Sequence, residues 1–315
     1  MKSLFDGSTE QLRPFIPGLV RNFTVSSSLK ALLEDGAAAL LPRFLGDTIS
    51  EKISGASPES AEPVRKALLL AQTVVARLGF ADYLPFAEVQ IGDDGVTITA
   101  VENRRAAFDY QTQKLDRSLR ESGWNKLDEL LNLVAANKAD FPDFDASPYQ
   151  RGLAGSLFKS AAEFSTFYPI SSRWLTFWAL RPSLDAVEED LGDSYRSRID
   201  ALPQPVTQEQ KTKLLRMLRR RLAYEAVILA LPTLSVELVG LNVQLNYGAQ
   251  YGGSANYYAP PAKEQLDWVR TNLQNQAALF ASALDNQLVS LEPSSSAETD
   301  AALGLLGFDG PFVML

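Results

Sequence analysis

The sequence predicts a mainly α-helical protein with short β-hairpins, built by internal duplication of a helix-helix-hairpin-helix-helix unit. Three observations lead there. First, long segments place apolar residues at spacings of three and four, the period of an amphipathic helix. Second, LPFAEVQIGDDGVTIT at 84–99 and LPTLSVELVGLNVQLN at 231–246 alternate apolar and polar residues about a turn, the pattern of a hairpin. Third, these two stretches align without a gap: Leu84-Pro85 falls on Leu231-Pro232, Val89 on Val236, Ile91 on Leu238, Val96 on Val243 and Ile98 on Leu245.

The elements repeat in order. Phe15-Ile-Pro17 resembles Phe167-Tyr-Pro169 at the start of each copy. LGDTISEKI from Leu45 then matches LGDSYRSRI from Leu191, and each is followed by a Pro-bearing loop and a helix. The first helix carries Val64, Leu68, Ala71, Val75 and Leu78 on one face, and the second carries Leu214, Leu218, Leu222, Ala226 and Leu229. Ser57-Pro58 is the expected start of the first, as N-cap and first helical residue. Thr207-Gln-Glu-Gln210 has the pattern of a capping box for the second. After the hairpins, Phe108-Asp-Tyr110 resembles Leu266-Asp-Trp268, and Lys126-Leu-Asp128 resembles Ala283-Leu-Asp285, so two closing helices are expected in each copy. An insertion after the second hairpin, AQYGGSANYYAP, restores the register.

The expected organisation is a first repeat at 1–136, a connecting segment at 137–166, a second repeat at 167–289, and a linker with an apolar arm at 290–315. The connecting segment contains a helix expected around Leu157 to Phe164. The last segment begins with the polar Glu292-Pro-Ser-Ser-Ser296 and ends in LGLLGFDGPFVML. Apolar residues beyond a polar linker want a groove, on this chain or on a neighbouring subunit. Phe308, Phe312, Val313, Met314 and Leu315 are therefore candidate partner contacts.

Composition narrows the chemistry. The 315 residues are 46% hydrophobic and 22% charged, with a net charge of -8. With no Cys there are no disulfides, thiolate metal sites or Cys nucleophiles. With no His the usual neutral-pH base and the commonest metal ligand are missing. The expectation is a protein that is not an enzyme and holds no cofactor or metal. The acidic balance disfavours wrapping nucleic acid over the whole body. MKSLFDGSTEQLR has no signal-peptide apolar region, and no uninterrupted apolar stretch approaches the roughly 20 residues that span a bilayer, so no membrane partner is expected.

Four clusters invite a functional reading. Asp140, Asp143 and Asp145 share a loop but lack the glycine and terminal Glu spacing of a calcium loop, which favours a solvated acidic loop. Glu188-Glu-Asp190 beside Asp193 reads as a solvated helix face rather than an acid/base pair. Arg216, Arg219, Arg220 and Arg221 are candidate nucleic-acid contacts of a transient kind. The competing reading is a salt-bridged face, with Asp193 or Glu188 as partners. Tyr251, Tyr257 and Tyr258 lie in a Gly/Tyr-rich loop and are candidate protein contacts, because Tyr among small polar residues makes adaptable contact surfaces. Trp174 and Trp178 share one helical face and read as core, with a subunit contact as the alternative.

Four stretches resemble a family of uncharacterised proteins encoded by phages and prophages: YLPFAEVQIGDDGVTI, ENRRAAFDYQTQKLDRSL, FSTFYPISSRW and LDAVEEDLGDSYRSRI. An amphipathic helix pair around a short strand element also resembles small head-to-tail connector subunits, which form rings between portal and tail. The resemblance runs from about Arg43 to Asn246 and brings no catalytic residues. This chain is longer than a single-domain connector, which duplication explains. The resemblance implies a virion structural protein, a connector or adaptor that acts by ring assembly. It would be homo-oligomeric, partnered by portal and tail components, and located in the virion and, during assembly, in the host cytoplasm. The alternative is a non-virion scaffold or host-interaction binding module.

Overall fold

A computed structural model describes residues 2–87, 89–92, 95–98, 109–153, 155–203, 205–232 and 263–292. The chain is mainly helical and divides into two compact units, Met1–Gly155 and Ser156–Leu315.

In the first unit the short α1 (Thr9–Leu12) precedes α2 (Ser27–Leu45) and α3 (Asp47–Ser54). The unit continues with the long α4 (Glu62–Ala87) and α5 (Asp109–Ala136). The Ser26 side chain caps α2 by accepting the Leu29 N–H at 3.1 Å. Leu29, Leu33, Ala37, Leu41 and Phe44 then form its buried stripe. α2 stops at Gly46, whose φ of 81° and ψ of 164° suit a residue with no side chain. α4 packs against α2 and α5 and buries small residues on more than one side, among them Ala67, Ala71, Ala76 and Ala81. At two crossings a leucine side chain fills the space where a Cβ would stand. A Cβ at Gly79 would lie 2.9 Å from Leu33 Cδ2, and one at Gly123 of α5 would lie 2.7 Å from Leu78 Cδ2. By length and composition α4 can cross a membrane, but 61% of its apolar window is buried inside the protein, as in a core helix.

Two chain segments cover what the helices leave open. Leu4, Phe5, Leu12 and Ile16 are buried, and Gln72 Nε2 donates to the Leu4 carbonyl at 2.9 Å. Beyond α5, two 3₁₀ turns, Pro142–Ala146 and Arg151–Leu153, bury Phe141, Phe144 and Leu153. Tyr149 stacks on Phe44 with ring centroids 5.2 Å apart. Lys52 Nζ lies 5.6 Å from the Phe141 ring centre and donates to the Asp140 carbonyl.

In the second unit, α6 (Ala161–Ser165) leads to α7 (Trp174–Val187), a π-helical stretch Glu188–Gly192, and α8 (Asp193–Asp200). α9 (Gln208–Ala230) and α10 (Lys263–Val289) complete the described part. Trp174 and Trp178 are buried, with ring centroids 5.5 Å apart. The Thr207–Gln210 capping box opens α9, as its spacing predicts.

Several expectations are corrected. Each unit closes with one long helix rather than two, because nothing in 109–136 or 263–289 breaks the ladder; Gly123 sits mid-helix as a packing notch. Leu84-Pro85 belongs to the last turn of α4, not to a hairpin. Strand pairing joins Val89–Gly92 antiparallel to Gly95–Ile98, with Val89 opposite Ile98. The second expected hairpin lies, beyond Pro232, outside the described residues. α4 starts at Glu62 rather than Ser57, because Ser57 and Ser60 close a separate turn (Ser60 N–H to Ser57 O, 3.0 Å). The helix expected at 157–164 is only Ala161–Ser165, capped by Ser160 and preceded by buried Leu157 and Phe158. The connecting segment is shared: its residues up to Gly155 pack with the first unit, and the rest belong to the second.

The tripeptide Leu-Gly-Asp thus takes two backbones, sharply broken at Gly46 and helical at Gly192 (φ −57°). Gly46→Ala is expected to cost about 1–3 kcal/mol, since that backbone region is nearly restricted to glycine. Gly192→Ala should be neutral or stabilising by up to about 1 kcal/mol, because its Cβ would meet only ordinary contacts from 3.4 Å. Chemical denaturation of both variants checks this, and equal effects would refute it.

Candidate functional site

The second unit gathers the charged groups that the sequence singled out. Along α9 successive residues turn by about 100°, so Arg219, Arg220 and Arg221 point to three different neighbours. Arg219 Nη1 pairs with Glu163 Oε1 at 3.0 Å. The Arg220 guanidinium lies 5.5 Å from the ring centre of Phe280 on α10. Arg221 Nη1 donates to the Tyr195 hydroxyl at 2.7 Å, with Glu225 at 4.0 Å. Arg216 is exposed. The salt-bridge partners therefore differ from the expected Asp193 and Glu188. Asp193 sits 3.7 Å from Arg196 within α8, and Glu188 turns inward.

Tyr195 is the hub of this network. Its hydroxyl accepts from Arg221 and donates to Asp285 Oδ1 at 2.7 Å, so one phenol ties α8 to α9 and α10. Its ring lies near two guanidiniums, 4.9 Å from Arg221 and 5.4 Å from Arg198, a cation–π arrangement. Arg198 then makes a two-pronged bond to Glu292, Nε to Oε1 at 3.0 Å and Nη2 to Oε2 at 3.2 Å. Nearby, Tyr168 packs edge-on to Tyr224, and burial pushes its phenol up to about 12.

Glu188 is the acid of this unit whose pKa is shifted upward. Burial raises its pKa, outweighing the Ser156 hydroxyl and Leu157 N–H that its Oε1 accepts at 2.9 Å each, and the attraction of Arg181. It holds the start of the unit against the π-helical stretch. The nearby Asp185 carboxylate adds a smaller push to its pKa, in the same direction as burial. Among the described residues no group of three or more acidic side chains comes close enough to hold a metal ion. Asp145 pairs with Lys138 at 2.8 Å, in a loop pinned by buried Phe141 and Phe144.

Beside this network an open groove of about 350 Å³ is lined by Val187, Asp190, Leu191, Glu225, Ile228, Leu229, Pro232 and Arg270. Its walls are mostly aliphatic. Its charged groups are two carboxylates and one guanidinium, at Asp190, Glu225 and Arg270. The sequence reading placed Leu229 on the inner face of α9. It is instead 48% exposed, because the buried stripe runs from Ala226 to Ala230. Spacings of three and four are both helical, and only the neighbours choose between them. Tyr195 gave no signal beyond its place in LGDSYRSRI. Tyr251, Tyr257, Tyr258, Phe308, Phe312, Val313, Met314 and Leu315 lie outside the described residues.

Tyr195→Phe keeps the ring but removes the hydroxyl between Arg221 and Asp285, and should cost about 1–3 kcal/mol in denaturant unfolding. No loss would mean that the hub does not hold the helices. For Glu188 the sign follows from its raised pKa in the folded protein. Its stabilising contribution is fully present below the ordinary carboxylate value and is lost as pH rises through the folded value. Glu188→Gln should therefore gain stability over the natural chain near pH 7 and lose that advantage near pH 4. A pH-independent difference in melting temperature would refute this.

A family model described as "Family of unknown function (DUF6712)" matches residues 30–152 and 185–292. No curated protein and no solved structure matches the chain. The first matched stretch runs from α2 through the second 3₁₀ turn, and the second from within α7 to Glu292 beside Arg198. Together they take in well over half of the sequence, and the chain belongs to this family of unknown function, DUF6712.

Proposed function

We propose that this protein is a virion structural protein, a head-to-tail connector that works by assembling into a ring, and that its chain is a duplicated unit. The reading assigns it no enzymatic activity, cofactor or metal. Its ring would contact portal on one side and tail components on the other, in the virion and, during assembly, in the host cytoplasm. The observation that carries it is the apolar surface of α10. Trp268, Leu279 and Val289 are 70%, 63% and 65% exposed on one helix. Large apolar side chains left in water are characteristic of contact surfaces, because covering them contributes roughly 25 cal/mol per Å². In a ring this contact is head-to-tail: one face of each copy meets a different face of the next.

The duplication is supported by the gapless alignment of 84–99 with 231–246 and by the order of elements. α2, α3, α4 and α5 run in the same sequence of long, short, long and long as α7, α8, α9 and α10. The first matched stretch covers nearly all of the first set, and the second covers α8, α9 and α10 with only the end of α7. A doubled unit gives one subunit two related but distinct faces, which suits a ring that joins two dissimilar neighbours.

Native mass spectrometry of the purified chain should find one closed oligomer that also binds isolated portal. The pair Trp268→Glu and Leu279→Glu should shift it to monomer, with the melting temperature within a few degrees of the natural chain. A strict monomer that binds no virion component would overturn the proposal.

A further inference from the structure

We infer that the Trp268 side chain of one copy docks into the groove beside α9 of the next copy. This names the two faces that meet in the head-to-tail ring proposed above, and it rests on that reading.

Trp268 is built as a projection. α10 packs on α9 through Leu273, Ala277, Leu284 and Leu288, all buried. At about 100° per residue Trp268 stands roughly 140° round the helix from Leu273, on the far side. It is 70% exposed, and its indole N–H meets no partner among the described residues. Indole combines a large apolar body with one hydrogen-bond donor, the combination that anchors protein contacts. Glu264, one turn before Trp268, is exposed on the same side of α10.

The groove supplies the complement of each group. Its volume of about 350 Å³ leaves room for one large aromatic side chain. Val187, Ile228 and Leu229 offer that ring aliphatic walls, with Leu229 48% exposed. Asp190 and Glu225 set two carboxylates beside them, acceptors for an indole N–H. Arg221 approaches Glu225 only to 4.0 Å, which leaves the Glu225 oxygens able to accept. Arg270 also lines the groove, and it has no ion-pair partner among the described residues. It is the cation that matches Glu264 of an incoming copy. Donor thus faces carboxylate, and carboxylate faces guanidinium.

One copy cannot make this contact with itself. Arg270 belongs to the groove, while Trp268, two residues earlier, is turned about 200° from it round the same helix. Projection and groove therefore lie on different sides of one unit. A copy that fills its neighbour's groove still offers its own groove to a third. Contacts of this kind continue until rotation closes them into a ring. A two-fold pairing of the exposed α10 faces would stop at a dimer and leave the groove uncovered.

Two substitutions at exposed positions separate the halves. Trp268→Glu removes the projection and keeps the groove. Leu229→Arg obstructs the groove and keeps the projection. Each full-length variant alone should be monomeric by native mass spectrometry, with a melting temperature within a few degrees of the natural chain. Mixed one to one, they should form a heterodimer and nothing larger, because one projection and one groove remain competent. A closed oligomer that survives Leu229→Arg would overturn the inference and leave the ring standing on another contact. A mixture that stays monomeric would overturn it too. The heterodimer, found together with a natural chain that never closes and binds no portal, would support this contact and overturn the ring. A natural chain that is strictly monomeric would overturn both.

Discussion

Each unit is organised around one long helix that is apolar on more than one side and must be covered. α4 buries residues from Val64 to Leu84 around much of its circumference. α9 buries Leu214, Leu218 and Leu222, then Ala223, Ala226 and Val227 on adjoining faces. Two flanking helices cannot enclose such a cylinder. Segments with only one short helix each therefore act as walls: Leu4 to Ile16 in the first unit, and Leu157 to Ile170 in the second. Close approach is part of the same constraint. Gly79 and Gly123 let α2 and α5 press onto α4 where a methyl group would collide.

The covering segments are attached by polar bonds to backbone carbonyls and side chains rather than by sheet pairing. Gln72 takes the Leu4 carbonyl, Arg77 the Phe15 carbonyl and Lys52 the Asp140 carbonyl. In the second unit Glu188 does the same work with its carboxylate, and Arg219 holds Glu163 of α6. A buried or half-buried charge is tolerated in these places because it meets a partner there. This is why the strongest basic run of the chain is largely spent on internal contacts, leaving Arg216 exposed.

How much of the candidate site was legible follows from range. The capping box at Thr207 is decided within four residues, so its reading and the structure coincide. The Arg219–Arg221 run was legible as charge and its tendency to pair was legible from the acidic surroundings. Its partners were not. Glu163, Tyr195 and Phe280 sit on three other elements, and no local pattern names them. The groove was illegible for the same reason. It is lined by Leu229, which falls outside the stripe that Ala226 and Ala230 continue, and by Asp190 and Arg270 from other elements.

The sequence by itself determined that this is a helical chain, where most of its helices run and much of what they bury. Those properties depend on side chains a few residues apart, through periodicity, capping and backbone preference. The tertiary structure decided that 109–136 is one helix, that Gly46 breaks the chain while Gly192 continues it, and that Tyr195 joins three helices. Each of these is a choice between locally equivalent states. The energy that selects one comes from neighbours distant in sequence, which exist only once the helices have packed.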